Sequence, residues 1–253
     1  MNITERKYFE QYSIAIGNQI PDLIKRFDFS EKKGGFDYLT KASAVYSSNI
    51  EGNSVDLNSY MNYELSKEKF KAGKEIAEIE NLIKAYGFAQ KNKLTAPNLL
   101  FCHKVLSETF LIKSKRGKYR IEPVGVFGKS GIAYLAVEPE FVAMEMKVLT
   151  DDISELIDSK LTAEEVFYFA SLIHLRFVHI HPFRDGNGRA ARLLEKWFIS
   201  EKLGHEFWRI PSEAYYKENQ PEYYEAINIG VNFYQLNYNK CVRFLAMLPN
   251  CLR

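Results

Sequence analysis

Two helix-length patterns that meet at a short loop of glycines and charges restrict this fold more than any other feature of the sequence. From Thr162 to His179, the residues Val166, Phe169, Ala170, Ile173 and Phe177 recur at the spacing that keeps one helical face apolar. Thr162 with Glu165 three residues on is a capping-box pattern, so the helix has a marked start. A second helix is expected from about Arg189 to Lys202, stopped by Gly204. Further helices are expected over Tyr38 to Ile50 with Gly52 as the stop, Ile76 to Lys91, Ala96 to Thr109, Glu222 to Val231 and Tyr234 to Met247. The stretch from Tyr119 to Val137 is different. There Lys129-Ser130-Gly131 separates Val124-Gly125-Val126-Phe127 from Ile132-Ala133-Tyr134-Leu135, which predicts a β-hairpin. The expected fold is mostly α with one small hairpin.

The loop between the two best helices reads His181-Pro182-Phe183-Arg184-Asp185-Gly186-Asn187-Gly188-Arg189-Ala190-Ala191-Arg192. Its residue types suit a polyphosphate. Gly186 and Gly188 can take positive φ, and Asn187 tolerates it, so successive N–H groups can converge on an anion. The next helix starts there, and its N-terminal dipole favours negative charge. Arg189 and Arg192, three apart, share a helix face and can clamp phosphate oxygens. Asp185 beside such a site is repulsive unless a divalent cation bridges carboxylate and phosphates. His181 supplies the imidazole that serves as a general base near neutral pH.

Other signals narrow the classes. The chain has 34 basic and 32 acidic residues, a net charge of +2, which gives no argument for a nucleic-acid or membrane-surface role. Cys102, Cys241 and Cys251 form no CxxC pair, so reduced thiols and a cytoplasmic location are expected rather than a disulfide framework or thiolate zinc. The polar segment Met1 to Phe9 does not resemble a signal peptide. Val166 to Ile180 is too short, and too interrupted by His174, Arg176 and His179, to span a bilayer. Gly125-Val126-Phe127-Gly128-Lys129-Ser130 imitates the end of a P-loop, but two residues separate its glycines where a P-loop has four. His174 and His179, five apart, point in different directions and are expected to be packed or polar helix residues, with His103 and His205 structural.

His181 to Arg192 matches every specified position of the signature His-Pro-Phe-x-Asp-Gly-Asn-Gly-Arg-x-x-Arg, and the chain thereby resembles the Fic-domain family. Arg116-Gly117-Lys118-Tyr119-Arg120 looks like the segment before that family's flap hairpin. Asn81 to Tyr86 and His103 look like its upstream helix positions, and Tyr223-Tyr224 like a tyrosine pair near its adenine site. The similarity covers about residues 40 to 235. The resemblance implies a Fic-type helical domain with a β-hairpin flap, an N-terminal helical region over 1–95, and a catalytic core with C-terminal helices over 96–253, packed as one unit. It implies transfer of AMP from ATP to a protein hydroxyl with magnesium or manganese. His181 would be the base, Asp185 the metal ligand, and Gly186, Asn187 and Gly188 the phosphate cradle. Arg189 and Arg192 would meet the β- and γ-phosphates, Tyr224 the nucleotide, and Val126 and Phe127 of the flap the target. Phe183 would anchor the loop in the core.

A second motif, Ser47-Ser48-Asn49-Ile50-Glu51-Gly52, resembles the family's inhibitory signature, which implies that Glu51 pairs with Arg192 and takes the place of the γ-phosphate. The chain departs from the pattern twice. With Arg253 soon after the expected core helices, the winged-helix domain that many such proteins carry is not expected, and Val231 stands where an asparagine often follows the tyrosine pair. Removal of AMP from a modified protein, transfer of another phosphate-linked group, and a non-enzymatic ATP sensor stay open beside AMP transfer. The partner implied is a protein bearing a Ser, Thr or Tyr hydroxyl, and self-modification and a homo-oligomer stay compatible with the sequence.

Overall fold

The computed structural model describes residues 2–30, 35–66, 73–128 and 131–253. The helices in chain order are α1 (Phe9–Ile16), α2 (Ile20–Arg26), α3 (Phe36–Ile50), α4 (Leu57–Ser66), α5 (Gly73–Ala89) and α6 (Ala96–Leu106). The strands β1 (Gly125–Gly128) and β2 (Gly131–Leu135) follow, then α7 (Pro139–Asp158), α8 (Ala163–Ile180), α9 (Asn187–Leu203), α10 (Ser212–Glu218), α11 (Gln220–Ile227) and α12 (Val242–Leu245). The mostly α fold with one antiparallel hairpin is as the sequence predicts.

The α8 helix forms the centre. Every residue from Val166 to Phe177 is buried, so it is enclosed on all sides rather than along one stripe. Its start is the expected capping box: Thr162 Oγ1 accepts from the Glu165 N–H at 3.2 Å, and Glu165 Oε2 accepts from the Thr162 N–H at 2.8 Å. α9 packs along α8 and buries Leu193, Leu194, Trp197, Phe198 and Ile199. α3 packs against α5 and α10, which brings the end of α3 to the start of α9. One hydrophobic cluster runs from Ile3 to Leu252.

The hairpin pairs Gly125 with Leu135 and Val126 with Tyr134, and a bulge follows Val126. Tyr134 turns inward, 8% exposed, and its hydroxyl donates to the His179 carbonyl at 2.6 Å, so the hairpin is tied to the end of α8. The tip residues Lys129 and Ser130 and the side chain of Phe127 lie outside the described residues.

The C-terminal segment departs from expectation. The helix expected over Glu222 to Val231 is α11 and stops at Ile227. In place of one helix from Tyr234 to Met247 there are 3-10 turns at Phe233–Gln235 and Tyr238–Lys240, followed by the four-residue α12. Asn232 Oδ1 accepts the N–H groups of Tyr234 and Gln235, and Asn237 Oδ1 that of Asn239. These side chains compete with the helical ladder. No helix was expected at Pro139–Asp158, where α7 forms. Its buried Val142, Met146, Leu149 and Ile153 do recur at helical spacing, but exposed Phe141, Met144 and Val148 blur that stripe. Among the described residues no helix is long and apolar enough to cross a membrane.

Candidate active site

The loop between α8 and α9 begins at His181, whose φ of 52° turns the chain out of the helix while its N–H still donates to the Phe177 carbonyl at 3.0 Å. The imidazole Nδ1–H donates to the Val178 carbonyl at 3.2 Å, which fixes the tautomer and leaves Nε2 with a free lone pair. Burial lowers the His181 pKa and the Arg120 charge adds to this, against opposing effects of Glu51 and Asp185, so the ring is held neutral below its ordinary range.

The loop is braced from within and from outside. Asn187 Oδ1 accepts from the Phe183 N–H and its Nδ2 donates to the Phe183 carbonyl, both at 2.9 Å. The Asn187 side chain thus shapes the loop, and its backbone starts α9. Phe183 is fully buried, as expected, and stacks on His103 with ring centres 3.5 Å apart. His103 in turn donates from Nε2 to the Asp185 carbonyl at 2.9 Å and accepts at Nδ1 from the Gly117 N–H at 3.0 Å. Gly117 has a φ of +63°, and a Cβ there would stand 2.6 Å from the Leu100 carbonyl oxygen, so this junction requires glycine. Gly186 also needs its lack of a side chain: φ is +83° and a Cβ would press on Phe110 at 3.1 Å.

The charges converge at the start of α9. Arg192 is fully buried. It donates from Nε to Ser47 Oγ at 2.9 Å, from Nη2 to the Ser47 carbonyl at 3.0 Å and to Glu51 Oε1 at 2.6 Å, and from Nη1 to Tyr223 Oη at 3.1 Å. A Cβ built on Gly188 would collide with Glu51 Oε1, so that carboxylate sits in the hollow over the first turn of α9. Burial raises the Glu51 pKa, but Arg192 and Arg189 outweigh it and the carboxyl is lowered. Arg189 lies 4.0 Å from the Phe110 ring centre, with Glu78 at 3.6 Å and Asp185 at 3.8 Å. Its buried Nε has no hydrogen-bond partner among the described residues. Asp185 keeps its side chain 55% exposed, with Oδ1 accepting from the Gly186 N–H at 2.6 Å.

His181, Asp185, Gly186, Asn187, Gly188, Arg189, Arg192 and Glu51 therefore form one site. Tyr224 borders it at the end of α3. Its ring is half exposed, and its hydroxyl donates to the Ile50 carbonyl at 2.9 Å, helping Gln220 and Lys217 to cap the end of α3. Val126 is 39% exposed on the hairpin. Sequence reasoning named Ser47 and Tyr223 only as members of the inhibitory motif and the tyrosine pair, and His174 only as a packed or polar helix residue, without the bonds that join them here. The Tyr223 hydroxyl bridges Arg192 and His174 Nε2 at 2.9 Å, and His174 Nδ1 reaches Glu195 at 2.8 Å. Their separations in sequence leave no local signal of this network. His179 binds Tyr238 and the Ile227 carbonyl, and His205 stacks on Phe36, so both are structural as expected.

Residues 93–199 match the Fic/DOC family. A protein adenylyltransferase, fic-1, of Caenorhabditis elegans is 32% identical over 97 residues, 38% of this chain and 17% of that protein. Its counterpart in Caenorhabditis briggsae is 34% identical over 114 residues, 45% of this chain and 20% of that protein. The matches thus span about a fifth of the length of these relatives. A Fic family protein from Desulfovibrio desulfuricans G20 superposes with a TM-score of 0.80 at 22% identity over 96% of this chain and 73% of its own, a likeness of fold.

Proposed function

Since this chain is a Fic-domain protein, we propose that it is a protein adenylyltransferase that moves AMP from ATP onto a Ser, Thr or Tyr hydroxyl, and that Glu51 restrains it. The observation that carries this reading is the Glu51 carboxylate in the hollow over Gly188, bonded to Arg192 at 2.6 Å. An anion already stands where a helix N-terminus and buried arginines favour one, and a phosphate group has the same needs.

In the proposed reaction the target hydroxyl gives its proton to His181 Nε2 and its oxygen attacks the α-phosphorus. The bond to the β-phosphate bridging oxygen breaks, and pyrophosphate leaves. Gly186, Gly188 and the first N–H groups of α9 cradle the phosphates, with Arg189 toward the β- and Arg192 toward the γ-phosphate. Catalysis comes from positioning and charge. Asp185 fits a magnesium or manganese ion, because its carboxylate is exposed at the loop and such ions are held by one or two carboxylates together with phosphates. When bound, that ion would offset repulsion between carboxylate and phosphates. Among the described residues β1 pairs with β2 alone, so its outer edge, with Val126 and Phe127, is free to hold an extended target segment. A cytoplasmic setting suits this chemistry and the reduced cysteines.

With Glu51 in place, the γ-phosphate meets a carboxylate and loses Arg192. Glu51→Gly removes both obstacles and should raise autolabelling by labelled ATP well above wild type at equal concentration, with melting curves confirming the fold. Equal labelling would overturn the restraint. Greater labelling together with loss of AMP release from modified protein would favour AMP removal as the reaction that Glu51 serves.

A further inference from the structure

A further arginine, outside the Fic signature, bonds to the carbonyl of the candidate base. Arg120 is 2% exposed. Its Nε donates to the His181 carbonyl at 2.7 Å, its Nη1 to the Glu122 carbonyl at 3.0 Å, and its Nη2 to the carbonyls of Val137 at 2.5 Å and Ile180 at 3.3 Å. Its own N–H donates to the Pro182 carbonyl at 2.9 Å. Among the described residues no carboxylate comes within ion-pair distance of it; its side-chain hydrogen bonds go to backbone carbonyls, and the Glu122 and Glu138 charges attract it from farther off. A helix C-terminus suits that arrangement, because the last carbonyls of α8 lack partners and carry the negative end of its dipole. The five contacts fall into two groups. Ile180, His181 and Pro182 are the turn that presents the imidazole. Glu122 and Val137 flank the hairpin, one before β1 and one after β2. A planar guanidinium fork can hold several carbonyls in fixed directions, and an ammonium cannot.

We propose that Arg120 is a positioning residue for AMP transfer, holding His181 in its left-handed turn and registering that turn against both ends of the hairpin. The inference rests on the reading above, in which His181 is the base and the hairpin holds the target. Arg120 touches no reacting atom in that scheme. It fixes the distance between the base and the strand that presents the hydroxyl. Burial is the main influence opposing protonation of His181 and the Arg120 charge adds to it, while the Val178 hydrogen bond, Glu51 and Asp185 favour protonation.

The test uses the full chain with Arg120→Met, which removes fork and charge, and Arg120→Lys, which keeps the charge. Each is made in wild type and in Glu51→Gly. In folded Arg120→Met, the His181 ring should titrate at higher pH by NMR. Amide exchange at residues 125–128 and 131–135 should quicken relative to α9. Arg120→Lys should quicken hairpin exchange but leave the His181 titration near wild type. In the Glu51→Gly background both should slow autolabelling about tenfold to a hundredfold, the cost of a misplaced reacting group, with ATP affinity by calorimetry unchanged. Wild-type hairpin exchange and His181 titration in folded Arg120→Met would overturn the proposal. Exchange that quickens evenly over the whole chain would do the same, since it would mark Arg120 as structural only. If Glu51→Gly itself does not label, the AMP-transfer reading fails, and titration and exchange still decide whether Arg120 positions the turn.

Discussion

His181 occupies a backbone conformation that costs a non-glycine residue on the order of 1–3 kcal/mol, and the surrounding bonds hold it there. The Val178 carbonyl takes Nδ1–H, so Nε2 is left unprotonated. Removing the ring leaves the anion pocket intact, because Arg192, Glu51 and the start of α9 do not lean on it. His181→Ala is therefore expected to lower labelling in the Glu51→Gly background by roughly 10²–10⁴-fold, the usual contribution of a general base, while ATP affinity by calorimetry holds. Near-normal labelling by the folded variant would exclude His181 as the base. The sequence itself marks His181 as the candidate base at the head of the loop. The tautomer and the left-handed turn were not legible there, because they depend on bonds within the end of α8 and on Arg120, which is 61 residues away.

Between elements, buried histidines serve as fixed neutral joints. His103 links α6 to the Gly117 turn and the Asp185 loop, and burial pushes its pKa down to about 4. His179 links α8 to Ile227 and Tyr238, and burial pushes its pKa down to about 3. Both ordinarily titrate near 6.5. The unfolded chain therefore binds protons that the fold refuses. Their contribution is complete above about pH 6.5 and declines as pH falls toward 4 and 3. His181 acts with the same sign. His103 and His179 each cost about 1.4 kcal/mol per pH unit in this window. The urea midpoint should drop clearly between about pH 6.5 and 5, before most carboxylates titrate. A flat midpoint there would mean these rings accept protons in the fold. The periodicity of α8 was strong enough to predict it to its cap. The C-terminal turns were not predictable in this way, since Asn232 and Asn237 redirect a sequence that otherwise carries helical spacing.

At the scale of the whole molecule, the candidate site depends on the packing of α3 across α9, which brings Glu51 to Arg192 over 141 residues of sequence. Arg192 is fixed from four directions, by Ser47 Oγ, the Ser47 carbonyl, Tyr223 and Glu51. In the Glu51→Gly background, Arg192→Ala should weaken ATP tenfold to a hundredfold, about 1.5–3 kcal/mol for a charge-assisted contact, and ADP much less. Equal losses for both nucleotides by calorimetry would place Arg192 away from the γ-phosphate. The sequence alone determined the α8 and α9 helices, the hairpin, and the phosphate-suited loop between the helices, because each is local: periodicity, caps and glycines act within a few residues. Only the tertiary structure decided that Glu51 fills the hollow at Gly188, that Tyr224 caps α3, and that Arg120 and His103 brace the loop. Those contacts join residues brought together by burial of a common core, and burial has no signature at the spacing of neighbours.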